Sequence, residues 1–478
     1  MTQNFVKLEG KDYLQNFYRF KLYNKFSKTY LLTTDDGNYI FVNFSAFKQL
    51  KKGKIENQEI YSNLISSGII ITPQNINKII KKTIKRYSFL SNGTSLHIVV
   101  PTDRCNQLCT YCFASAKNID DTETSSDLDE PTAKKIIEFI MNSPSKAITI
   151  EFQGGEPTLR FDMIKIMATY AKKLNKTIKK DLQLTIVSNL TKVNEEIITW
   201  LINNDITICT SLDGPEHIHN KNRIINAKEG KRIGTHKTVT TWINKINKIY
   251  SEKNIDLRVN SLPTITKYSL PYYKEIIDEH LKYNLNTIDI RALTRIGRIN
   301  EFPELTYTNN EFEQFYLNSL NYLKELEKEG KYVTERIKKL YETKILKNVP
   351  GYHTDCESPC GATTGQIVYH SDGKIYTCHE GLGREEFQVG DVTKDTWQDI
   401  FKRPVTQKAI LNSMLEQNVK CDRCVYKPYC GTCMIENFYH LNKFNFYPTK
   451  TQIHHSTILQ SNSIFNKIYN KLKIEKNL

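Results

Sequence analysis

No stretch of this 478-residue chain approaches the ~20 consecutive apolar residues that a helix needs to cross a bilayer. The first ten residues, MTQNFVKLEG, lack an apolar signal core. Both absences lead us to expect a cytoplasmic chain with no membrane partner. Arginine-rich tracts and basic patches interleaved with aromatics are also missing. The net charge of +15 comes mostly from lysine, which reads as solvated faces, so nucleic acid is not the expected partner. A basic groove would still suit an acidic peptide.

What the chain does have is clustered cysteine. Its eleven cysteines fall as three between Cys105 and Cys112, a solitary Cys209, and seven between Cys356 and Cys433. Cytosolic thiols stay reduced, so this clustering points to metal in two separate places. Cys209, mid-strand and flanked by apolar residues, is expected to be a buried core thiol.

The length allows about two to four domains. Residues 1–90 read as a small module. Alternating stretches at 29–34 and 38–43 flank Asp35-Asp36-Gly37, a hairpin signal. A short helix at 46–50, a second at 58–66 with Gly68 as its cap, and the apolar Ile69-Ile70-Ile71 follow. Lys81 to Arg86 reads as a basic helical linker with a solvated face. From residue 94, strand patterns at 96–101, 147–152, 182–188, 206–212, 257–262 and 287–293 alternate with helical ones at 131–141, 162–174, 195–202 and 270–283. Six such units predict a parallel sheet with outer helices, curled into a partial barrel whose chemistry sits at the C-terminal strand ends. Residues 309–347 are expected to be helical, with Phe312, Phe315, Tyr316, Leu320 and Leu323 as a core-facing stripe.

The first strand runs into Cys105-Asn106-Gln107-Leu108-Cys109-Thr110-Tyr111-Cys112. Three thiolates at this spacing can share one iron–sulfur cube and leave its fourth iron free of protein; a zinc loop is the plain alternative. The second strand ends in Gln153-Gly154-Gly155-Glu156-Pro157. Its glycines admit close backbone approach and Glu156 offers an acceptor, although the motif alone also makes an ordinary strand-to-helix turn. The third strand ends in Ser188-Asn189. The fourth ends in Ser211-Leu212-Asp213-Gly214-Pro215, with His217, His219, Asn220 and Arg223 beyond. Asp213 and Arg223 are placed to pair, either within a site or as a loop cap, and the two histidines are expected to be structural. Toward the C-terminus come Cys356, Cys360, a hairpin across Asp372-Gly373, Cys378, and then Cys421-x2-Cys424-x5-Cys430-x2-Cys433. Such knuckles draw pairs of thiolates onto one metal, and a zinc ribbon is again the alternative.

The Cys-x3-Cys-x2-Cys loop with Tyr111 before its last thiol, and the Gly-Gly-Glu-Pro turn one β/α unit later, resemble the radical S-adenosylmethionine (SAM) superfamily. The pattern from about residue 95 to 435 resembles its SPASM-type peptide maturases. That resemblance implies an α/β fold with a partial (β/α)6 radical SAM barrel over residues 91–335 and a SPASM extension over 350–440. It also implies a winged-helix-like leader-recognition module over 1–90 and a helical tail over 441–478. Cys105, Cys109 and Cys112 would hold the catalytic 4Fe–4S cluster. SAM would lie among Tyr111, Gly154, Gly155, Glu156, Pro157, Ser188, Asn189, Ser211, Asp213 and Arg223, with Arg291-Ala292-Leu293 near its adenine. One or two auxiliary 4Fe–4S clusters would use Cys356, Cys360, Cys378, Cys421, Cys424, Cys430 and Cys433.

Two departures stand out: the last interval is two residues where the family has three, and no cysteine follows Cys433. Seven thiols cannot fill two cubes. In the family's crossed arrangement Cys356, Cys360, Cys378 and Cys433 form one set, and Cys421, Cys424 and Cys430 lack a fourth ligand, which substrate or a residue such as His440 would supply. Alternatively Cys421, Cys424, Cys430 and Cys433 complete one site and Cys356, Cys360 and Cys378 are short.

The implied activity is hydrogen abstraction from a leader-bearing ribosomal peptide by a 5′-deoxyadenosyl radical, ending in a C–C, C–S or C–O cross-link. A reductase, flavodoxin or ferredoxin would donate the electron. Ser95-Leu96-His97-Ile98, the stretch from Glu151 to Pro157, and Ser358-Pro359-Cys360-Gly361-Ala362 are similar to maturases of His-Xaa-Ser-type, cyclophane and thioether peptides. The alternatives are formylglycine formation by an anaerobic sulfatase maturase, peptide epimerisation, and a zinc-binding scaffold for peptide or nucleic acid. The sulfatase family carries Asp where this chain has His379.

Overall fold

An eight-stranded sheet runs through the centre of the computed structural model, which describes residues 6–8, 11–114, 116–121, 126–226, 232–351, 354–441, 444 and 452–476. Its strands lie in the order Asn260–Ser261, Ile206–Thr210, Asp181–Val187, Ala147–Phe152, Leu96–Val99, Gln366–Tyr369, Lys374–Tyr376, Gln388–Asp391. The first six are parallel and the last two close an antiparallel hairpin. The hairpin of the C-terminal cysteine region therefore continues the barrel sheet: Gln366 to Tyr369 pair with Leu96 to Val99.

Strand alternation separates two chemistries. Ile148, Ile150 and Phe152 pack into the core that also holds Ile136, Ile137 and Ile140 of helix Glu130–Met141. Burying each such side chain contributes roughly 1.5–3 kcal/mol. That helix starts cleanly because Asp129 accepts from Thr132 N and Pro131 sits in its first turn. Thr149, Glu151 and Gln153 alternate to the inner face, where Thr185 Oγ1 donates to Glu151 Oε2 at 3.2 Å.

Five of the six expected strands join this sheet. The sixth does not: Thr287–Ile288 pairs in parallel with Thr334–Glu335 and meets the chain beyond the fifth strand only through a bridge between Thr264 and Arg291. The same pairing interrupts the helix expected over 309–347. Helix Asn309–Lys328 stops before Gly330, which takes φ +77, and helix Arg336–Leu346 begins only after the short strand. Phe312, Phe315, Tyr316 and Leu320 are buried core residues.

In the N-terminal part, Tyr18–Asn24, Thr29–Thr34 and Tyr39–Val42 form a three-stranded antiparallel sheet whose tight turn has Gly37 at φ +80. Helices Phe44–Lys52, Gln58–Ser66 and Ile76–Arg86 follow. Leu32, Val42, Phe47, Leu50 and Leu64 form the module's own core. Its other face carries Leu31, Tyr23, Tyr39 and Phe41 onto Val425, Tyr426, Tyr429 and Phe465. The basic linker is not wholly solvated. Arg86 is buried with its guanidinium 5.6 Å from the Tyr429 ring centroid, because the module's docking covers it. Among the described residues, no helix is long and apolar enough to cross a membrane.

Candidate active site

The cysteine loop and the glycine turn are welded together at the rim. A Cβ on Gly155 would lie 2.0 Å from Arg104 O, and one on Gly154, at φ +129, would lie 2.6 Å from Thr102 O. The backbone occupies that space: Gly155 N donates to Thr102 O at 3.0 Å and Glu156 N to Arg104 O at 2.8 Å. Only glycine permits this approach at either position. Pro157 is buried and opens a short 3-10 turn, Pro157–Arg160.

Glu156 is not an acceptor waiting for a ligand. Its Oε1 accepts from Thr158 N at 3.1 Å, Thr158 Oγ1 at 2.5 Å and Ser188 Oγ at 2.7 Å, and its Oε2 from Asn189 N at 2.8 Å. Burial raises its pKa against the pull of these donors. The carboxylate thus brackets the ends of the second and third strands. Asn189 passes the order on, its Nδ2 lying 3.0 Å from Asn106 Oδ1 and 3.7 Å from Cys105 Sγ.

Asp213 is likewise consumed by protein partners. It is fully buried and accepts from Tyr111 Oη at 2.6 Å, Asn222 Nδ2 at 3.2 Å, Thr264 N at 3.2 Å and Arg223 Nε at 3.3 Å. Arg223 then reaches Cys109, with Nη1 3.8 Å from the sulfur, and packs 5.3 Å from the Tyr111 ring centroid. Burial lowers its pKa, but Asp213, Tyr111 and Cys109 together outweigh this and raise it, so the charge is permanent. Ser211 is half-buried at the strand end. His219 is structural, as expected: Asp213 N donates to its Nδ1 at 3.4 Å, Thr235 Oγ1 lies 3.0 Å from its Nε2, and burial lowers its pKa to about 3. His217 packs its ring edge against Tyr272.

Cys109 and Cys112 lie close enough to oppose ionisation of Cys105, and Cys112 opposes that of Cys109. Burial, helped by that repulsion, pushes Cys109 up to about 11 and Cys105 higher still. Gln107 stands between them: its N–H donates to Cys105 Sγ at 3.3 Å, its Oε1 accepts from Cys109 Sγ at 3.5 Å, and its Nε2 is a buried donor without a partner among the described residues. Thiols with an unspent donor and a fixed guanidinium beside them suit an anionic sulfide-bearing cluster. Among the described residues, no three His, Cys, Asp or Glu side chains close around a single metal ion.

Three contributors were not read from the sequence. Gly297, at φ +75, lets Arg298 approach the loop from behind: Arg298 N donates to Cys112 O at 3.0 Å, its Nη1 to Cys109 O at 3.2 Å and its Nη2 to Ala116 O at 2.6 Å. The Gly-Arg pair after the sixth strand was the only available sign. His379 is the third. Its Nδ1 lies 2.7 Å from Gln153 Oε1, and its ring meets Phe113 edge-on at 4.8 Å.

Cys209 is not packed in the helix-side core. Ile208 and Thr210 on either side point outward, so Cys209 turns to the inner face, where Glu151, Arg336, Arg291 and Asp289 surround it. The C-terminal thiols divide between two cores. Cys360 and Cys378 are buried with Cys433 packed beside them, while Cys356 lies in the core that Cys424 borders. The side chain of His440 lies outside the described residues.

Residues 99–256 match the model of the radical SAM superfamily. The chain carries a radical SAM domain over these residues and is an enzyme. The superfamily uses SAM and a 4Fe–4S cluster, and the C-terminal cysteines of this radical SAM protein fit auxiliary clusters. It is 26% identical over 343 residues to the cysteine-type anaerobic sulfatase-maturating enzyme of Clostridium novyi (strain NT), covering 70% of this chain and 86% of that one. Its fold is similar to native anSMEcpe with bound AdoMet, at TM-score 0.63 and 18% identity, over 80% of this chain and 100% of that one. It is also similar to Streptococcus suis SuiB bound to precursor peptide SuiA, at TM-score 0.54 and 15% identity, over 90% and 97% of the two chains.

Proposed function

We propose that this radical SAM enzyme matures a ribosomally made peptide, joining two of its residues oxidatively. The observation that carries this reading is the contact between its two thiol-bearing regions. Phe113 follows Cys112, His379 follows Cys378, and their rings touch across the inner face beside Gln153. A substrate lying there would be flanked by both regions at once.

When bound, SAM and its cluster supply a hydrogen-abstracting radical, and the protein supplies binding and orientation. Cys105, Cys109 and Cys112 are the proposed ligands of that cluster, and Arg223, Asn189 and Arg298 hold their loop. Gly154, Gly155, Pro157, Ser188, Asn189 and Ser211 form the wall on which SAM would lie. Glu156 and Asp213 act behind that wall as braces. Inside the barrel, Ile98, Val100, Val368 and Tyr376 offer an apolar side, and Glu151, Gln153 and Thr185 a polar one, which suits a peptide with mixed side chains.

The N-terminal module is proposed to take the peptide's leader. Strand Tyr18–Asn24 ends its sheet, and Phe20, Leu22 and neighbouring Phe17 are exposed along it. An extended peptide can add to such an edge. SuiB, bound to its precursor peptide in the structure similar to this chain, supports a peptide partner. A flavodoxin, ferredoxin or reductase would deliver the electron.

Formylglycine formation is the second reading, favoured by the similarity to the C. novyi enzyme. Co-expression with a leader-bearing peptide followed by mass spectrometry separates the outcomes. A cross-link lowers the peptide mass by two hydrogens, formylglycine replaces a cysteine thiol, and epimerisation leaves the mass unchanged but takes up solvent deuterium. Unmodified peptide alongside 5′-deoxyadenosine release would refute peptide maturation.

A further inference from the structure

Seven C-terminal thiols leave two cubes one ligand short, and the structure divides them in a way that neither arrangement weighed from the sequence contains. Cys356 and Cys360 are four residues apart in the chain, yet they are buried in different cores. Cys360 lies with Cys378, Phe387 and Met434, against Cys433. Cys356 lies with Tyr341, Val425 and Tyr429, against Cys424.

Local hydrogen bonds account for the divergence. Cys360 Sγ turns back to Thr354 O at 3.5 Å while its N–H donates to Ser413 Oγ at 3.0 Å. Cys356 Sγ instead lies 3.8 Å from Tyr341 Oη, which meets Thr457 Oγ1 at 2.6 Å. The Thr457 hydroxyl also serves Cys430. One pair of hydroxyls therefore joins Cys356 to Cys430, and through it to Cys421 and Cys424. Backbone hydrogen bonds from Cys424 N to Cys421 O at 3.0 Å, Lys427 N to Cys424 O at 3.0 Å and Cys430 N to Lys427 O at 3.1 Å hold Cys421, Cys424 and Cys430 on one loop.

We propose that Cys356 completes a four-thiol group with Cys421, Cys424 and Cys430, and that Cys360, Cys378 and Cys433 hold the cluster that has one iron without a cysteine. The inference rests on the iron–sulfur reading above and places the exchangeable iron in a particular half of the molecule. The three-thiol group is the one tied to the radical loop through His379 and Phe113. The four-thiol group lies under the N-terminal sheet. There Arg19 Nε donates to Asp422 O, Thr33 Oγ1 donates to Val425 O at 2.8 Å, and Tyr429 Oη donates to Gly37 O at 3.1 Å.

The test uses the full-length chain with Cys105, Cys109 and Cys112 changed to Ala, reconstituted without oxygen. A cube held by three cysteines loses its exposed iron on ferricyanide oxidation and gives the EPR signal of a three-iron cluster; a cube held by four resists. With Cys360, Cys378 and Cys433 also changed to Ala, we expect about four irons per chain and no three-iron signal. Adding Cys356→Ala to that protein should create the signal. With Cys421, Cys424 and Cys430 changed instead, the signal should be present already, and Cys356→Ala should not alter it.

The reverse pattern, or indifference to Cys356 in both backgrounds, overturns the proposal. Absence of iron from the chain with all seven C-terminal cysteines intact overturns the iron–sulfur reading itself. Should either background fail to fold, mild oxidation of the intact apo chain and disulfide mapping decide. Cys356 should be linked to the 421–430 peptides, and linkage to Cys360 or Cys378 counts against the division.

Discussion

Arg223 connects Asp213 to Cys109: its Nε lies 3.3 Å from the buried carboxylate and its Nη1 3.8 Å from the sulfur. The ion pair fixes a cation beside one thiol of the loop. Outer partners of this kind orient the groups that bind metal and tune them electrostatically.

Arg223→Gln should therefore weaken the first cluster. We expect about a 10- to 100-fold loss in 5′-deoxyadenosine formation and a shifted cluster reduction potential by EPR-monitored titration. Arg223→Lys should recover part of the potential but little of the loop order, since lysine cannot span carboxylate and sulfur with a planar fork. An unchanged potential in Arg223→Gln would confine the residue to folding.

Gly155→Ala should be more damaging than most glycine substitutions. Its Cβ would meet Arg104 O at 2.0 Å, so the glycine turn and the cysteine loop must part. We expect a stability loss of at least about 1–3 kcal/mol and loss of SAM binding by calorimetry. Gly383→Ala, where nothing lies within 4 Å but φ is +77, controls for backbone strain alone.

Glu335 makes stability depend on pH. Burial raises its pKa from 4.5 to about 7, against the pull of Tyr316 and of the backbone N–H groups of Lys338 and Ile337. The folded chain thus binds a proton that the unfolded chain has released. Its contribution is greatest below pH 4.5 and is lost as pH rises to about 7. A rise of this size corresponds to about 3 kcal/mol at most. Glu335→Gln should flatten this part of the Tm profile between pH 5 and 8; an unchanged slope would assign the dependence elsewhere.

Arg19→Ala should loosen the N-terminal module from the last cysteine loop. The buried guanidinium lies 2.9 Å from Asp35 and 3.4 Å from Asp422, but both carboxylates are more than a third exposed. Solvent screening keeps the expected loss near 1 kcal/mol. Faster iron loss from the thiols at 421–430 under air should accompany it, with the radical cluster's EPR signal unchanged.

Much of this was legible from short-range chemistry. The Asp-Asp-Gly hairpin, the alternation through 147–152 and the glycine turn each state their geometry locally. Cys209 shows where such reading fails: its apolar neighbours in sequence face the opposite side of the strand, so they say nothing of its surroundings. The sixth strand failed for a different reason. Residues 287 and 288 are paired by Thr334 and Glu335, and no local pattern reveals a partner so distant. Glu156 and Asp213 were found as site residues, but whether a carboxylate meets a ligand or its own backbone depends on which donors the fold brings to it.

The strand Gln366–Tyr369 flanks Leu96–Val99 on the side away from Ala147–Phe152. A chain emerging from the ribosome can satisfy only one edge of that first strand until some 270 further residues have been made. Long-range pairings of this kind form late. The strand from which the cysteine loop hangs therefore gains its second neighbour only after most of the chain has been made.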